Sequence, residues 1–188
     1  MSAPDELAAT ADVESTVAEA PVDPALRRRC LWTLGLMAVG VVIVDHIVKA
    51  WVGGHEVGET FGTFLGGLVR FTYVENSGAA FSIGAGYTWI FTIVAVIVAV
   101  IILRTARRLG SIWWAIALGG LLGGLLGNLV DRLTRPPGFG VGHVIDFIQV
   151  SHFGGIFNIA DMFITCSAAL MVILALLGIE LDGSRKPS

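Results

Sequence analysis

GHVIDFIQVSHFGGIFNIAD, residues 142–161, is the stretch around which the rest of the chain is organised. It contains two aspartates, Asp146 and Asp161, and the second lies where a long apolar segment begins. A carboxylate at the edge of a membrane span costs free energy and usually marks a functional site. We therefore interpret the two aspartates as a catalytic pair and the remaining chain as the framework that positions them.

The composition is that of an integral membrane protein. Of 188 residues, 55% are hydrophobic and only 14% are charged, whereas a soluble domain is about half apolar and about a quarter charged. The apolar residues are concentrated in blocks, which is typical of membrane spans. Because the net charge is −3, the chain has no general basic surface, and we expect no nucleic-acid partner.

Four apolar blocks reach the length of about 17–25 residues that a transmembrane helix needs. They run approximately over residues 31–52, 87–103, 112–130 and 156–179. Residues 1–26 hold six acidic and no basic residues, which predicts a disordered tail. We predict one membrane domain over residues 27–180, followed by a short tail over residues 181–188.

The basic residues predict the orientation in the membrane. The two terminal flanks and the loop at 104–111 hold eight Lys or Arg, against three in the loops at 53–86 and 131–155. The positive-inside rule therefore places both termini in the cytoplasm and both long loops outside. Within the first outer loop, residues 68–75 predict a strand and residues 76–78 a turn. We expect a small β-structure on the outer membrane surface.

The strongly polar residues of the membrane part fall at one predicted depth, near the outer interface. Asp45 and Lys49 are spaced i, i+4 near the outer end of the first span, so they face each other. The other members close the third span or open the fourth at helical spacing: Asn128, Asp131, Arg132, Asn158 and Asp161. Asp146 lies in the loop that joins these two ends. This convergence predicts one polar site.

These groups also have structural interpretations. Asp45 and Lys49 could form a plain intrahelical ion pair, with the lysine reaching towards the interface. The charges that close the third span could form a helix-end pair, and Asp146 alone could be an ordinary loop residue. Asp161 is harder to explain in this way, because apolar residues follow it and no cation lies within one helical turn.

Three other patterns concern packing and metals. Gly119, Gly123 and Gly127 have small-xxx-small spacing, which favours close approach of the third span to a neighbour. Cys166 is expected well inside the fourth span and Cys30 at the opposite membrane face, as packing residues without a disulfide. No pair among the four histidines has metal-ligand spacing on a helix, so we expect no metal and no other cofactor.

Two aspartates at a half-dry interface cannot both ionise easily, so they share one proton near neutral pH. The ionised member can take a proton from water while the protonated member polarises a peptide carbonyl. This is aspartic peptidase chemistry. The main alternative is transport, which usually places acids near mid-membrane and often uses internal repeats; neither is present in this chain. A scaffold protein, with polar residues that merely join helices, is the other alternative.

Five ordered motifs resemble those of the bacterial lipoprotein signal peptidases, or signal peptidase II, an aspartic intramembrane peptidase family. They are DHIVK at 45–49, NSGAAF at 76–81, GNLVDR at 127–132, VIDF at 144–147 and FNIAD at 157–161. The chain departs from the family pattern at His46, where glutamine is usual. The resemblance extends approximately over residues 31–179.

The resemblance implies an all-α integral membrane protein of the bacterial cytoplasmic (inner) membrane, with four transmembrane helices and a small extracytoplasmic β-sheet cradle. It implies cleavage of diacylglyceryl-modified prolipoproteins just before the lipidated cysteine, with Asp146 and Asp161 as the catalytic dyad. The implied substrate-binding or supporting residues are Asn76, Asn128, Arg132 and Asn158, together with Asp45, Lys49 and Asp131. Inhibition by globomycin-type cyclic peptides is also implied, and we expect a monomer.

Overall fold

The computed structural model describes residues 22–78, 87–151 and 153–185, and within them four long helices form the framework. The helices are α1 Pro24–Val52, α2 Thr88–Thr105, α3 Ile112–Thr134 and α4 Ile159–Leu176. Each is long and apolar enough to cross a membrane. Together with a small antiparallel sheet of four strands, they confirm the predicted architecture of four spans and a β-cradle.

Helix caps explain why two helices begin away from their predicted starts. The side chain of Asp23 accepts a hydrogen bond from the backbone N of Ala25, and Pro24 occupies the first helical position, where it is well tolerated. Residues 24–26 of the predicted tail are therefore helical, whereas residues 1–21 lie outside the described residues. Asn158 caps α4, so this helix begins at Ile159 and not at the predicted residue 156.

Helix α3 packs chiefly against α1 and α4, and its glycines allow the approach to α1. A Cβ atom at Gly119 would lie 2.7 Å from the backbone oxygen of Leu34, and one at Gly123 would lie 2.7 Å from that of Ala38. Real Cβ atoms do not come this close to backbone oxygens. The predicted role of the small-xxx-small spacing is thus confirmed, and α3 touches the backbone of its neighbour.

Gly123→Ala is expected to lower the melting temperature of the protein in detergent. The added methyl group would overlap the backbone of Ala38 in a well-packed contact, which costs about 1–3 kcal/mol. Gly40→Ala is the matched control, since nothing lies within 4 Å of a Cβ at Gly40. The control should melt at or slightly above the wild-type temperature, because alanine favours helix. Equal melting of all three proteins would contradict the proposed contact.

The sheet caps the end of the bundle at which α1 and α3 finish and α4 starts. Its strands are β1 Thr60–Phe64, β2 Val69–Asn76, β3 Val144–Val150 and β4 Ile156–Phe157, paired antiparallel in that order. A short 3-10 turn, Leu65–Gly67, joins the first two strands, and another, Ala106–Arg108, follows α2. The strand predicted at 68–75 is confirmed as β2, whereas β3 and β4 were not predicted.

The sheet is anchored to the helices by a small apolar core. Tyr73 of β2 and Ile145 and Phe147 of β3 are buried together with Val52, the last residue of α1. Alternation along β3 turns Asp146 to the opposite face from Ile145 and Phe147. The sequence pattern of this strand, apolar residues on both sides of a single aspartate, therefore fixes the position of that carboxylate against the bundle.

Candidate active site

One cavity at the sheet end of the bundle contains both aspartates of the predicted pair. It has a volume of about 280 Å³. Apolar side chains of α2, α3 and α4 form most of its described wall, and its polar lining includes Asn76, Asn128, Arg132, Asp146 and Asp161. These polar residues come from four elements that are far apart in the chain, β2, α3, β3 and α4, and they meet at one end of the bundle.

Asp146 is almost completely buried, with 2% of its surface exposed, and two amides hold its carboxylate. The Nδ2 atoms of Asn76 and Asn158 donate to its two oxygens at 2.7 and 2.6 Å. Burial, followed by the nearby Asp161 carboxylate, raises the pKa of Asp146 to about 7, although the two amides and Lys49 oppose the shift. Near neutral pH this carboxyl group can therefore exchange its proton.

Asp161 is fixed by the cap of α4. The backbone N of Asp161 donates to Oδ1 of Asn158 at 2.9 Å, and the backbone N of Asn158 donates to Oδ2 of Asp161 at 3.2 Å. This reciprocal pair is a capping box, which requires the spacing of three residues seen in the sequence. Asn128 donates to the remaining Oδ1 of Asp161 at 2.8 Å. Through its side chain, Asn158 holds Asp146 as well, so one asparagine orients both aspartates.

A buried ion cluster lies directly behind this pair. The Nζ atom of Lys49, whose side chain is fully buried, lies 2.7 Å from Asp45 and 2.8 Å from Asp131, and donates to Oδ1 of Asn128 at 2.9 Å. Asp45 in turn accepts a hydrogen bond from the backbone N of Ala160 at 2.9 Å. The Asp45–Lys49 pair is therefore more than an intrahelical pair, because it joins α1 to α3 and to the start of α4.

Arg132 and Asp131 do not simply pair with each other at the end of α3. Asp131 contacts Lys49 and, at 2.6 Å, the Nε atom of Arg135. Arg132 is buried and donates to the backbone oxygens of Gly78 and Gly142, while its guanidinium lies 5.6 Å from the centre of the Phe91 ring. It thereby connects α3 to the segment that follows β2 and to the segment that precedes β3.

Sequence reasoning missed several members of this site. The i, i+4 spacing of Asp131 and Arg135 could have identified the second partner of Asp131. The contacts of Arg132 with two backbone oxygens and with the Phe91 ring could not be predicted from residue type, because they depend on the fold. His46 leaves the neighbouring contacts of Asp45 and Lys49 intact. Within residues 22–78, 87–151 and 153–185, no group of three or more His, Cys, Asp and Glu side chains is placed to hold a metal ion.

The fold and the cavity define a membrane protein in which one buried and one partly buried carboxylate lie together at one end of a four-helix bundle. A solved structure described as a bacterial membrane enzyme is similar to this chain, with a TM-score of 0.70 and 30% identity over 84% of this chain and 95% of that one. Among curated proteins, the lipoprotein signal peptidase of Leifsonia xyli is 50% identical over 81% of this chain and 71% of its own length. That of Rhodococcus jostii is 45% identical over 89% and 83%.

The family model described as Signal peptidase (SPase) II matches residues 37–177. The chain therefore belongs to the signal peptidase II family. It is a bacterial membrane protease of the class that removes signal peptides from lipoproteins.

Proposed function

We propose that this protein is an aspartic endopeptidase that cleaves diacylglyceryl-modified prolipoproteins just before the lipidated cysteine. The observation that carries the proposal is the cavity in which Asp146 and Asp161 meet, each held by amide side chains. A carboxyl group with a pKa near 7 beside a second carboxylate is the pattern of a pair that divides acid and base roles.

The proposed reaction needs only water and these two carboxyl groups. The ionised aspartate takes a proton from water, and the water oxygen attacks the scissile carbonyl carbon. The protonated aspartate donates its hydrogen bond to the carbonyl oxygen, which becomes the hydroxyl of a tetrahedral intermediate. As the intermediate collapses, one of its hydroxyl groups returns a proton to the pair, the C–N bond breaks, and the leaving amine takes a proton from the pair. One shared proton is present at the start and at the end.

The amides and the arginine of the site have supporting roles in this proposal. Asn128 and Asn158 orient the carboxyl groups, while Asn76 and Arg132 also face the cavity, where a substrate backbone would lie. Lys49, Asp45 and Asp131 form the cluster behind them and hold Asn128 in place. Backbone groups of an extended substrate need donors and acceptors in such a dry site.

The distribution of charge supports the predicted orientation, with both termini cytoplasmic and the site near the extracytoplasmic face. The basic residues that follow α2 and those that begin α1 lie at the end of the bundle opposite the sheet. We propose a single peptidase domain formed by the four helices and the sheet, with an acidic N-terminal tail and a short C-terminal tail. We expect it to act as a monomer, without nucleic acid, and to be inhibited by globomycin-type cyclic peptides.

Cleavage of a purified diacylglyceryl prolipoprotein in detergent or lipid tests this proposal. We expect a mature product whose mass places the diacylglyceryl cysteine at its N-terminus, and no cut in the same precursor without the lipid. A cut at any other bond would overturn the proposed specificity. No cleavage by the folded protein of a competent substrate would overturn the activity, and ion flux through the protein in vesicles would then favour transport.

The pH dependence of kcat/KM should report the loss of the proton from the pair. Because the pKa of Asp146 is about 7, we expect kcat/KM to fall as pH rises above this value. The hydrogen bond from Asn76 favours the ionised form and lowers the pKa of Asp146, so Asn76→Ala should shift the fall to higher pH.

Gln149→Ala is the control for this shift, since it removes an amide side chain from β3, three residues after Asp146. Its pH profile should match that of the wild type. A fall at unchanged pH in Asn76→Ala would show that another group controls the alkaline limb.

A further inference from the structure

A second cavity, which we call the apolar groove, meets the first at Asp161. It has a volume of about 390 Å³, and its helix wall is formed by Met162, Thr165 and Cys166. On α4 these residues lie to one side of Asp161, whereas Ile164, which lines the first cavity, lies to the other. The two cavities therefore diverge from the same carboxylate along two faces of one helix.

The opposite wall of the groove is formed by apolar side chains of β3, of β4 and of the segment between them. Ile148 and Val150 point to the same side of β3. The rings of Phe153 and Phe157 pack edge to face with their centres 5.7 Å apart. Phe153 and Met162 are 64% and 49% exposed, so the groove is open at its rim. Its volume lies within the range of about 300–1,000 Å³ that is usual for small-molecule sites.

The lining of the groove is accessible and carries little charge. Cys166, which was predicted as a packing residue, is exposed, whereas Cys30 is buried in the bundle; both are free thiols. Among the described residues that line the groove, Asp161 is charged and none is Lys or Arg. An anionic lipid head group would meet no Lys or Arg among these residues, while a neutral acylglycerol would bury its chains against apolar side chains.

We propose that the apolar groove binds an acyl chain of the diacylglyceryl group of the substrate. This inference rests on the proposed function, in which apolar groups flank the scissile bond on both sides. The signal peptide ends at that bond, and the diacylglyceryl cysteine follows it. Because the scissile carbonyl must reach both aspartates, the two apolar parts must leave the pair in different directions, as the two cavities do.

Photo-cross-linking tests the occupant of the groove. The substrate is a diacylglyceryl prolipoprotein with a diazirine in one acyl chain, added to the full chain carrying Asp146→Asn so that it is not cut. We expect cross-links within residues 148–157 or 162–166, which unlabelled substrate should suppress. Cross-links to α2, or none despite measured binding, would overturn the assignment. So would equal cross-linking by a diazirine phosphatidylcholine that the prolipoprotein does not displace.

A groove-filling substitution gives a second test, with substrates of graded acyl length. Cys166→Trp should lose about tenfold in kcat/KM for long-chain substrates, the equivalent of about two unburied methylene groups. It should match the wild type for the shortest chains, and Ala168→Trp, on an exposed position of the same helix, should follow the wild type throughout. A loss independent of chain length, or no loss, would overturn the proposal. Failure of wild-type cleavage would instead contradict the proposed function. The cross-linking experiment would still show whether an acyl chain occupies the groove.

Discussion

Lys49→Met is expected to unfold the membrane domain or to lower its melting temperature more than any other single change described above. Lys49 is fully buried between Asp45 and Asp131, so its removal leaves two buried carboxylates with too little positive charge. Breaking a buried ion pair in this way costs about 3–5 kcal/mol, a large part of the roughly 5–15 kcal/mol that stabilises a typical fold. Thermal unfolding in detergent measures the effect.

Two controls separate this result from a general effect of charge. Arg70→Met removes a positive charge from an exposed strand position and should leave the melting temperature nearly unchanged. The double variant Asp45→Asn, Lys49→Met removes one of the stranded carboxylates, while the side-chain oxygen of the introduced asparagine can still accept the hydrogen bond from Ala160. It should be more stable than Lys49→Met alone. Wild-type stability of the single variant would show that the cluster contributes little to the fold.

Asp146→Asn and Asp161→Asn should each reduce the rate of prolipoprotein cleavage by at least about 10³-fold. Asparagine has nearly the shape of aspartate but neither takes a proton from water nor donates one to a carbonyl oxygen. At position 161 its side-chain oxygen can still accept the hydrogen bond of the capping box. Both variants should therefore remain folded, and their melting temperatures and elution volumes in detergent provide the control.

The double variant distinguishes a cooperating pair from two independent groups. If the two carboxyl groups act as one unit, Asp146→Asn combined with Asp161→Asn should be little slower than either single variant. If the two groups contributed independently, the rate losses of the two single variants would multiply in the double variant. A multiplied loss would contradict the shared-proton mechanism even if both single variants were inactive.

The helices and the depth of the polar residues could be predicted from the sequence because both are local properties. Apolar length sets the spans, and spacings of three and four residues set the helix faces, so Asp45 was correctly placed against Lys49. The start of α4 was placed too early because residues 156–157 are apolar and extend the hydropathy pattern, although in the structure they pair with β3.

Contacts between distant parts of the chain could not be predicted in the same way. The pairing of β2 with β3 brings Asn76 to Asp146, which is 70 residues away, and it depends on sheet register, which hydropathy does not report. The link from Lys49 to Asp131 depends on how α1 and α3 cross, which the glycines permit but do not specify. The apolar groove arises only where a strand and a helix face each other.

A comparison of three aspartates at the same end of the bundle tests whether Asp146 and Asp161 are the catalytic pair. Cleavage rates of a diacylglyceryl prolipoprotein would be measured for Asp146→Asn, Asp161→Asn and Asp131→Asn at equal amounts of folded protein. We expect the first two to be inactive and Asp131→Asn to cleave at a substantial rate, since Asp131 belongs to the ion cluster and not to the cavity lining. Normal cleavage by Asp146→Asn or Asp161→Asn, with activity lost in Asp131→Asn, would show that Asp146 and Asp161 are not the catalytic pair.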